Sequence, residues 1–388
     1  MVTLILGGLL VLLWLFLALD GWRGQRSMPV LRELPERPMA RGDGPTTLPR
    51  VCLIAAARNE APGLEAAVQS WLALEYPALE MVLINDRSTD QTGQIIDRLA
   101  HDNPRVTSLH VTHLPSDWLG KTYALALGAA HTTSEWLLFT DADVQFHPKA
   151  LQKAIGYATL AGCDHVACLP QVTGGSWWLK SMEALFLLTF VLWVRPRQVA
   201  NPHHPASVGV GAFNLVRTAA YRAIEGHQRI ALRPDDDIKL GQLLKRQGFR
   251  QRLVDGTGLL AVTWYSSIRE MARGLEKNIY AACDYRLGRF LLVVLSLLGL
   301  FWGPWAGVVL AHGVARGLFG GAAAIGLLMS LYTAVHAVGS WHVALGTPVS
   351  VLILTSLYIR SVYLTLRRGG IMWRDSFYPL AELRRNRV

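Results

Sequence analysis

The sequence predicts an α/β fold with a mostly parallel sheet, joined to a set of membrane-spanning helices. Three observations carry this prediction. From residue 50 onward, short apolar segments alternate with helical segments, which is typical of a parallel sheet with crossover helices. Polar residues follow directly after several of these apolar segments. Apolar runs long enough to cross a bilayer occur in the first 20 residues and again after residue 289.

The composition is too apolar for an ordinary soluble enzyme and indicates membrane spans. Of 388 residues, 51% are hydrophobic and only 17% are charged, and the mean hydropathy is +0.27. The net charge of +10 fits an anionic membrane surface. Nucleic acid is excluded as a partner because the sequence has no basic–aromatic RNA motif, zinc-finger spacing or basic helix. The cysteines lack CxxC spacing and indicate small buried hydrophobes in a reducing compartment; they are Cys52, Cys163, Cys168 and Cys283.

The first segment of the chain predicts a membrane anchor over residues 1–22, because residues 2–19 are almost wholly apolar. A cleaved signal peptide is the alternative, but it would carry its positive charge before the apolar run. Here the positive charge comes after it, which puts that flank in the cytoplasm; the residues are Arg23, Arg26, Arg32, Arg37 and Arg41. Residues 23–49 are rich in Pro, Arg and Gly and are predicted to be a linker.

The α/β pattern predicts one domain over residues 50–260. Strands are predicted at 51–57, 81–84, 106–111 and 136–139, and helices at 64–74, 92–100 and 123–131. Ligands of such sheets bind at the carboxyl ends of the strands. Asn59, Asp86 and Asp141 each follow a predicted strand, so we expect them at one edge of the sheet.

The remaining apolar segments predict the membrane region. Residues 179–194 are apolar but carry Lys180 and Glu183, which favours a helix in or near the membrane interface. An amphipathic segment is expected at 261–288, a transmembrane region at 289–366 and a basic tail at 367–388.

The basic tail carries two opposing signals for its side of the membrane. The transmembrane region holds apolar runs at 290–314, 318–338 and 349–366, interrupted by Gly303-Pro304 and by Arg360. Three spans would put the tail outside, whereas its arginines favour the cytoplasm. We therefore expect two to three spans, one run being re-entrant or interfacial, and a cytoplasmic tail.

The pair Asp141-Ala-Asp143 follows the strand at 136–139. Alternate side chains of a strand share a face, and two such carboxylates repel each other unless a cation lies between them. Hard oxygen ligands suit Mg²⁺ or Mn²⁺, whose other positions are commonly filled by phosphates, so the pair suggests a diphosphate ligand. A solvated turn is the alternative for this pair alone.

Residues at two other strand ends and at one helix start could bind the same ligand. Residues Ala57-Arg58-Asn59-Glu60 and Asp86 could form one nucleotide pocket, although Ser88 or Asp90 could equally serve as a helix cap. Lys121 opens the helix at 123–131, where a bound phosphate would offset its repulsion from the helix dipole; a solvated lysine is the alternative.

Asp236 and Asp237 open a later helix. Acids at a helix start are explained by the helix dipole alone, but clustered carboxylates also raise one another's pKa, which suits a general base near neutral pH.

Taken together, these motifs resemble the membrane-bound family 2 glycosyltransferases, which have the GT-A fold, a Rossmann-like mixed sheet. The motifs are Ala57–Glu60, Asn85-Asp86-Arg-Ser88-Thr-Asp90, Gly120-Lys121, Asp141-Ala-Asp143, Gly211-Ala-Phe-Asn-Leu and Asp236-Asp237-x-x-Leu240. Asn85 departs from the family's usual Asp, and Asp236 stands where the family has Glu.

The resemblance implies a nucleotide-sugar donor, a UDP-sugar first, with Mg²⁺ or Mn²⁺ and inversion at the anomeric carbon. It implies that the donor contacts Ala57, Arg58, Asn59, Glu60, Asp86, Lys121 and Asp141. Asp143, with Asp141, would bind the metal, and Asp237, beside Asp236, would be the general base.

The later part of the chain is similar to bacterial glycosyltransferases of carotenoid or hopanoid pathways. The similarity rests on Ser176-Trp177, Trp264-Tyr265, the segment 274–278 and the segment 373–378. It implies transfer of one sugar to an isoprenoid-like lipid hydroxyl at the cytoplasmic face of the bacterial inner membrane. The acceptor region would comprise Gly211, Phe213, Asn214, Trp264 and Tyr265.

Three other functions were weighed. A processive polysaccharide synthase would carry Gln-x-x-Arg-Trp, whereas the nearest segment, Arg269-x-x-x-Arg273, lacks the tryptophan. Arg269, Arg273 and Lys277 share a helix face and would bind donor phosphates or lipid headgroups. A dinucleotide-binding oxidoreductase would carry Gly-x-Gly-x-x-Gly after the first strand, and this chain has no such motif there. A non-catalytic nucleotide- or sugar-binding membrane protein would not need both Asp143 and Asp237.

Overall fold

The structure is a computed structural model that describes residues 1–35, 48–374 and 376–386. Its helices are α1 (Val2–Ser27), α2 (Ala61–Leu72), α3 (Thr92–Asp102), α4 (Gly120–Ala130), α5 (Ala150–Leu160), α6 (Trp177–Val194), α7 (Pro196–Ala200), α8 (Thr218–Ala223), α9 (Asp236–Arg246), α10 (Ile268–Ala282), α11 (Leu287–Phe301), α12 (Gly303–Leu310), α13 (Gly313–Val338), α14 (Thr347–Arg368) and α15 (Leu380–Arg385). Its strands are β1 (Val51–Ala57), β2 (Leu79–Asp86), β3 (Val106–Val111), β4 (Trp136–Phe139), β5 (Gln145–Phe146), β6 (His165–Leu169), β7 (Gln171–Val172), β8 (Asn214–Arg217), β9 (Gln251–Asp255), β10 (Leu260–Val262), β11 (Gly370–Trp373) and β12 (Ser376–Pro379). Short 3-10 helices cover Leu31–Glu33, Gly226–Ile230 and Trp341–Gly346.

The chain divides into two compact units. The helical unit comprises Met1–Arg26, Val172–Arg195 and Trp264–Arg385, and the sheet unit comprises Ser27–Gln171, Pro196–Thr263 and Asn386–Val388.

The boundary between the two units differs from the bounds of the linker predicted at residues 23–49. Leu31 is buried in the core of the sheet unit, and the Asp255 amide donates a hydrogen bond to the Pro29 carbonyl at 2.9 Å. Residues 27–34 are therefore part of the sheet unit. Arg37 and Arg41, expected in the cytoplasm, lie outside the described residues.

The central sheet has the strand order β3-β2-β1-β4-β8-β6-β9. β8 is antiparallel to β4 and to β6, and the other neighbouring pairs are parallel. This confirms the predicted mixed, mostly parallel sheet. The direction of β8 could not be predicted because a short apolar strand has the same pattern in either orientation.

The sheet separates two hydrophobic layers. Alternate residues of β1 point to opposite faces, so Leu53 packs with Val68 and Trp71 of α2 on one side. Ile54 packs on the other side with Leu125 of α4. Because helices cover both faces of the sheet, the sequences of β1, β2 and β4 contain continuous apolar runs.

The predicted strands and helices of residues 51–139 agree with the structure to within three residues at each end. The helix predicted at 64–74 begins earlier, at Ala61, because Pro62 is well suited to the first turn. The helix predicted at 123–131 begins at Gly120, so Lys121 lies in its first turn.

The helical unit is apolar on its surface. Among the described residues, four helical segments have the length and composition of membrane spans: Val2–Ser27, Trp177–Val194, Gly313–Val338 and Trp341–Arg368. The pair α11 and α12 would be a fifth and is bent by 47°. The break falls at Gly303-Pro304, as proline in a helical run predicts.

The direction of α14 follows from contacts at its two ends. The Trp302 indole donates a hydrogen bond to the Pro348 carbonyl at 2.9 Å, so α14 begins beside the break between α11 and α12. At the other end, Arg368 pairs with Glu276 of α10 at 2.6 Å. Because α10 directly precedes α11 in the chain, α14 ends near the point where α11 begins.

The 3-10 helix before α14 folds back along α13. Ala344 packs with Ala334 and Val338 near the end of α13. Thr347, the first residue of α14, lines a cavity together with Gly326, which lies at the middle of α13. α14 thus starts at the level of the centre of α13 and not at its end.

Candidate active site

The predicted metal pair lies at the carboxyl end of β4. The Asp141 amide donates a hydrogen bond to the Gly211 carbonyl at 3.1 Å, which ties the loop after β4 to the segment before β8. Asp143 is exposed to solvent, and Asp141 is half-buried. Both carboxylates therefore reach the surface at this edge of the sheet.

Lys121 connects this pair to the acids of α9. Its Nζ lies 2.8 Å from Asp141 Oδ1 and 3.4 Å from Asp236 Oδ1. Burial alone would lower the pKa of Lys121, but the carboxylates of Asp141, Asp236 and Asp237 outweigh it and raise that pKa far above its usual value. Lys121 is thus a paired cation in the structure, and the solvated alternative is wrong.

Glycines position Asp237 at the start of α9. A Cβ at Gly209 would collide with the Asp237 backbone carbonyl, and a Cβ at Gly241 would collide with that of Val208. Gln251 of β9 joins the same two segments, because its side-chain amide accepts from the Val208 N–H and donates to the Gly241 carbonyl. Helix α9, which carries Asp236 and Asp237, is therefore fixed against the segment 208–211.

Asp235, the third acid, has a structural role. Arg233 donates two hydrogen bonds to it, at 2.8 and 2.7 Å, and both side chains are buried. The neighbouring Ala231 carbonyl accepts from the Leu119 amide at 2.9 Å and from the Thr122 hydroxyl at 2.6 Å. The turn before α9 is thereby attached to the start of α4, where Lys121 lies.

Asp86, predicted to contact the donor base, ends β2. Arg87 Nε donates to Asp86 Oδ1 at 2.7 Å, and Arg58 NH1 lies 3.9 Å from Oδ2. Gly120 packs directly on this carboxylate, and any Cβ there would overlap with it. The Asp86 pocket therefore adjoins the start of α4 immediately before Lys121.

The loops after β1 and β2 are cross-linked by side chains. Asn59 has a left-handed backbone (φ 56°), accepts from the Thr89 amide at 2.8 Å and donates its own N–H to Ser88 Oγ. The Glu60 amide donates to Thr92 Oγ1 at 2.9 Å.

Asp90 completes this loop pair. It accepts hydrogen bonds from the Thr92 amide at 2.9 Å and the Ala61 amide at 3.2 Å, so it caps the starts of both α3 and α2. Asp90 is therefore the cap predicted for the helix after β2, and Ser88 bridges to the other loop.

Two carboxyl groups of the site have raised pKa values. Burial, together with repulsion by Asp141 and Glu60, raises the pKa of Asp143. The Asp143 side chain reaches solvent, so repulsion by these two carboxylates is the main cause. Burial and the adjacent Asp236 raise the pKa of Asp237 to about 7. The cluster therefore holds more negative charge than Lys121 alone neutralises.

The donor set fits a divalent cation. Asp141, Asp143 and Glu60 offer hard carboxylate oxygens at one edge, and their mutual repulsion favours a positive ion. Within the part of the chain that the structure describes, no group of three or more His, Cys, Asp or Glu side chains is arranged to hold a metal.

Three residues of the predicted acceptor region, Gly211, Phe213 and Asn214, belong to the sheet unit. Gly211 and Asn214 line one small cavity with Asp141 and Asp237. Phe213 is fully buried and packs against Phe146 at 5.6 Å, so it supports the site from the core and does not line it.

Trp264 and Tyr265 belong to the helical unit. The Trp264 ring contacts Phe186 of α6 at 4.6 Å, and a Cβ at Gly274 would overlap with the Tyr265 ring.

Several residues that shape the site were not predicted. They are Tyr221, His227, Arg233 and Gln251. Each acts through a partner distant in the sequence or through a buried contact, and none stands in a pattern that the sequence makes visible. The one available signal was the spacing Gly209-Val-Gly211, which indicates close backbone approach.

Comparisons with known proteins identify the domain that carries the site. Residues 52–224 match the family described as Glycosyl transferase family 2. The chain is a glycosyltransferase with a family 2 domain. The matched segment runs from β1 to the end of α8, and Asp236 and Asp237 lie just beyond it.

Curated relatives carry related names. A 4,4'-diaponeurosporenoate glycosyltransferase of Staphylococcus haemolyticus is 24% identical over 268 residues, which is 66% of this chain and 68% of that protein. A beta-monoglucosyldiacylglycerol synthase of Synechocystis is 31% identical over 149 residues, covering 37% of this chain and 31% of that protein. Both names specify lipid-like acceptors for those enzymes.

One solved structure supports the fold. A mannosyltransferase from Pyrobaculum calidifontis, in complex with GDP-Man and Mn²⁺, has a TM-score of 0.54 at 19% identity. The similarity covers 96% of this chain and 100% of that one. It confirms a GT-A-like fold for the glycosyltransferase described here.

Proposed function

We propose that this glycosyltransferase moves one sugar from a nucleotide donor to a hydroxyl group of a lipid, with inversion at the anomeric carbon. The observation that carries the proposal is the cluster around Lys121, in which Asp141 and Asp236 lie within 3.4 Å of one ammonium group. This cluster joins the acidic end of β4 to the acidic start of α9. A metal-bound donor requires the first of these groups, and a general base requires the second.

The donor would occupy the edge formed by the loops after β1, β2 and β4. Asp86, held by Arg87, would accept a hydrogen bond from the nucleobase, and Arg58, Asn59 and Glu60 would form the rest of that pocket. A UDP-sugar is the first candidate, and the complex of the Pyrobaculum enzyme with GDP-Man supports a nucleotide sugar in general.

Mg²⁺ or Mn²⁺ would be held by Asp143 together with Asp141. When bound, such an ion supplies positive charge that stabilises the departing diphosphate. The mutual repulsion of Asp143, Asp141 and Glu60 supports this assignment.

Asp237 would act as the general base. Its pKa of about 7 suits a carboxylate that takes the proton of an acceptor hydroxyl near neutral pH. Its Oδ1 accepts the Ile238 amide at 2.8 Å, which leaves Oδ2, the oxygen on the side of Gly211, to receive that proton. Lys121, Arg233 and Gly209 would keep this carboxylate in position.

A lipid acceptor is supported by the apolar helical unit and by the names of the Staphylococcus and Synechocystis relatives. An isoprenoid-like hydroxyl is the first candidate. Trp264 and Tyr265, beside Phe186, would belong to the surface that receives it.

The site would work at the cytoplasmic face of the inner membrane. α11 and α12 together would cross the bilayer, α13 would cross back, and the 3-10 helix with α14 would enter and leave on one side. The tail would then be cytoplasmic, in accord with its arginines. Arg360, which interrupts the last apolar run, pairs with Glu276 of α10 at 2.9 Å, so that part of α14 would lie at the interface.

The test is a transfer assay. Purified full-length protein in lipid nanodiscs would receive Mn²⁺ and a panel of UDP- and GDP-sugars, with membrane lipid extracts as acceptors. We expect one glycolipid that carries a single sugar. No transfer or hydrolysis from any donor would refute the proposal, and a ladder of products would favour a polysaccharide synthase.

A further inference from the structure

A small cavity lies against the acidic cluster, inside the sheet unit. Leu125 and Phe139 supply apolar surface, and the polar residues of its lining are Lys121, Thr140, Asp141, Asn214, His227, Asp236 and Asp237. Its volume is about 10 Å³, which is room for about one water molecule. His227 and Asn214 are 1% and 2% exposed, so the cavity reaches into the protein core.

The hydrogen bonds of His227 fix its tautomer. Its backbone N–H donates to the Tyr221 hydroxyl at 3.2 Å, and its Nδ1 lies 2.9 Å from the same oxygen. Because the buried Tyr221 O–H needs an acceptor, it donates to Nδ1. Burial lowers the pKa of His227 to about 3, so the ring is neutral and carries its one proton on Nε2.

Asn214 supplies a second donor. Burial lowers the pKa of His165 to about 4, so this histidine is neutral. Its Nε2 pairs with Asn214 Oδ1, which leaves the amide Nδ2 of Asn214 with both hydrogens. Within the described residues, neither Asn214 Nδ2 nor His227 Nε2 has a protein acceptor within hydrogen-bonding distance.

Two donors without a protein acceptor, the Lys121 ammonium group and three carboxylates thus line a space of one water, and the Thr140 hydroxyl is already paired with the Ala212 carbonyl. A water molecule has two lone pairs and two hydrogens, so it would accept from His227 and Asn214 and donate to two carboxylates. An apolar guest would leave the donors unsatisfied, and an anion would be repelled by Asp141, Asp236 and Asp237.

We propose that His227 and Asn214 hold one buried water beneath the Asp236–Asp237 pair, and that His227 is a positioning residue for the base. The water fixes the inner side of the acid pair, while Ile238 and Lys121 hold it from other directions. Tyr221 contributes by occupying Nδ1 of His227, which keeps the ring proton on Nε2.

The direct test is a crystal structure of the full-length protein at a resolution that reveals internal waters. We expect density within hydrogen-bonding distance of His227 Nε2 and Asn214 Nδ2. A map that contains other buried waters but none here would overturn the proposal. This result does not depend on the transfer reaction, so it stays decisive even if no sugar transfer is found.

The second test compares His227→Phe with His227→Gln in the transfer assay. Phe keeps the ring and removes the donor, whereas Gln restores an N–H near the same position. We expect His227→Phe to lower kcat by about tenfold with donor KM little changed, and His227→Gln to recover most of the loss. Tyr221→Phe should fall between them.

The exposed His131 provides the matched control, His131→Phe, and melting temperatures exclude unfolding as the cause. Equal kcat in His227→Phe and the wild-type protein, or equal losses in the Phe and Gln variants, would contradict the positioning role.

Discussion

The ammonium group of Lys121 lies 2.8 Å from Asp141, so the helix that starts at Gly120 supplies the counter-charge for the acidic end of β4. From the sequence alone, a solvated turn is the alternative for Asp141 and Asp143, since an acid after a strand is common. The pairing of Asp141 with Lys121 links it to Asp236 and, through Gly211, to Asp237. The four residues form one electrostatic unit.

Removal of the Lys121 charge should disable this unit. In Lys121→Met, three carboxylates would face one another without their cation, and we expect kcat/KM to fall by about a hundredfold or more. Lys121→Arg keeps the charge and should retain more activity than Lys121→Met. Comparable activity in Lys121→Met and the wild-type protein would show that the lysine is only a solvated neighbour.

The pH dependence of transfer should report Asp237. Because burial and Asp236 raise its pKa to about 7, the base is lost by protonation as the pH falls, and kcat should decline below about pH 7. Rates measured from pH 5.5 to 8.5 with saturating donor would reveal this limb. A rate that does not vary over that range would argue against Asp237 as the base.

Stability should depend on pH in the opposite sense. The pKa of Asp237 is higher in the folded protein, about 7, than its ordinary value of 3.8, so the folded state binds this proton more tightly. That contribution to the free energy of unfolding is complete below the ordinary pKa and is lost as the pH rises through 7. Asp237→Asn cannot ionise, so its melting temperature should exceed that of the wild type by more at pH 7.5 than at pH 4.5. An equal difference at the two pH values would contradict the raised pKa.

Gly209 should be intolerant of a side chain. The Cβ of Gly209→Ala would overlap with the backbone of Asp237 and displace the base, so both activity and melting temperature should fall. Gly63 in α2 offers a matched control, because a Cβ there meets nothing within 4 Å. Gly63→Ala should leave activity unchanged and stabilise the protein by about 0.5–1 kcal/mol. Thermal melts and transfer rates of the two variants would decide between these outcomes.

The proposed path of α14 predicts where the tail lies. A cysteine at position 386 should react with a membrane-impermeant maleimide only after inner-membrane vesicles are inverted or opened, whereas a cysteine at position 312, between α12 and α13, should react from the periplasmic side. The native cysteines are buried and give little background. Labelling of both positions from the same side would contradict the re-entrant path.

Much of the sheet could be predicted because its signals are local. The strands β1 and β4 are short apolar runs bounded by polar residues, and their predicted ends match the structure. Asp90 was also recognisable as a cap, since its side chain bonds two residues along the chain.

Other features depend on contacts between distant residues and have no local signal in the sequence. The reversed direction of β8, the fold-back before α14 and the pairing of Arg360 with Glu276 each involve segments far apart in the sequence. His227 is the clearest case in the site, since one isolated histidine after a glycine indicates nothing about the cavity that it lines.

The division of labour between Asp143 and Asp237 is the central claim, and donor affinity tests it most directly. Asp143→Asn and Asp237→Asn would each be titrated with the nucleotide sugar that the transfer assay identifies, with Mn²⁺ and again with EDTA. We predict that Asp237→Asn binds the donor as the wild-type protein does, in a metal-dependent manner, yet transfers no sugar. Asp143→Asn should bind the donor weakly and lose its response to Mn²⁺. Equal donor affinity in the two variants would contradict the assigned roles.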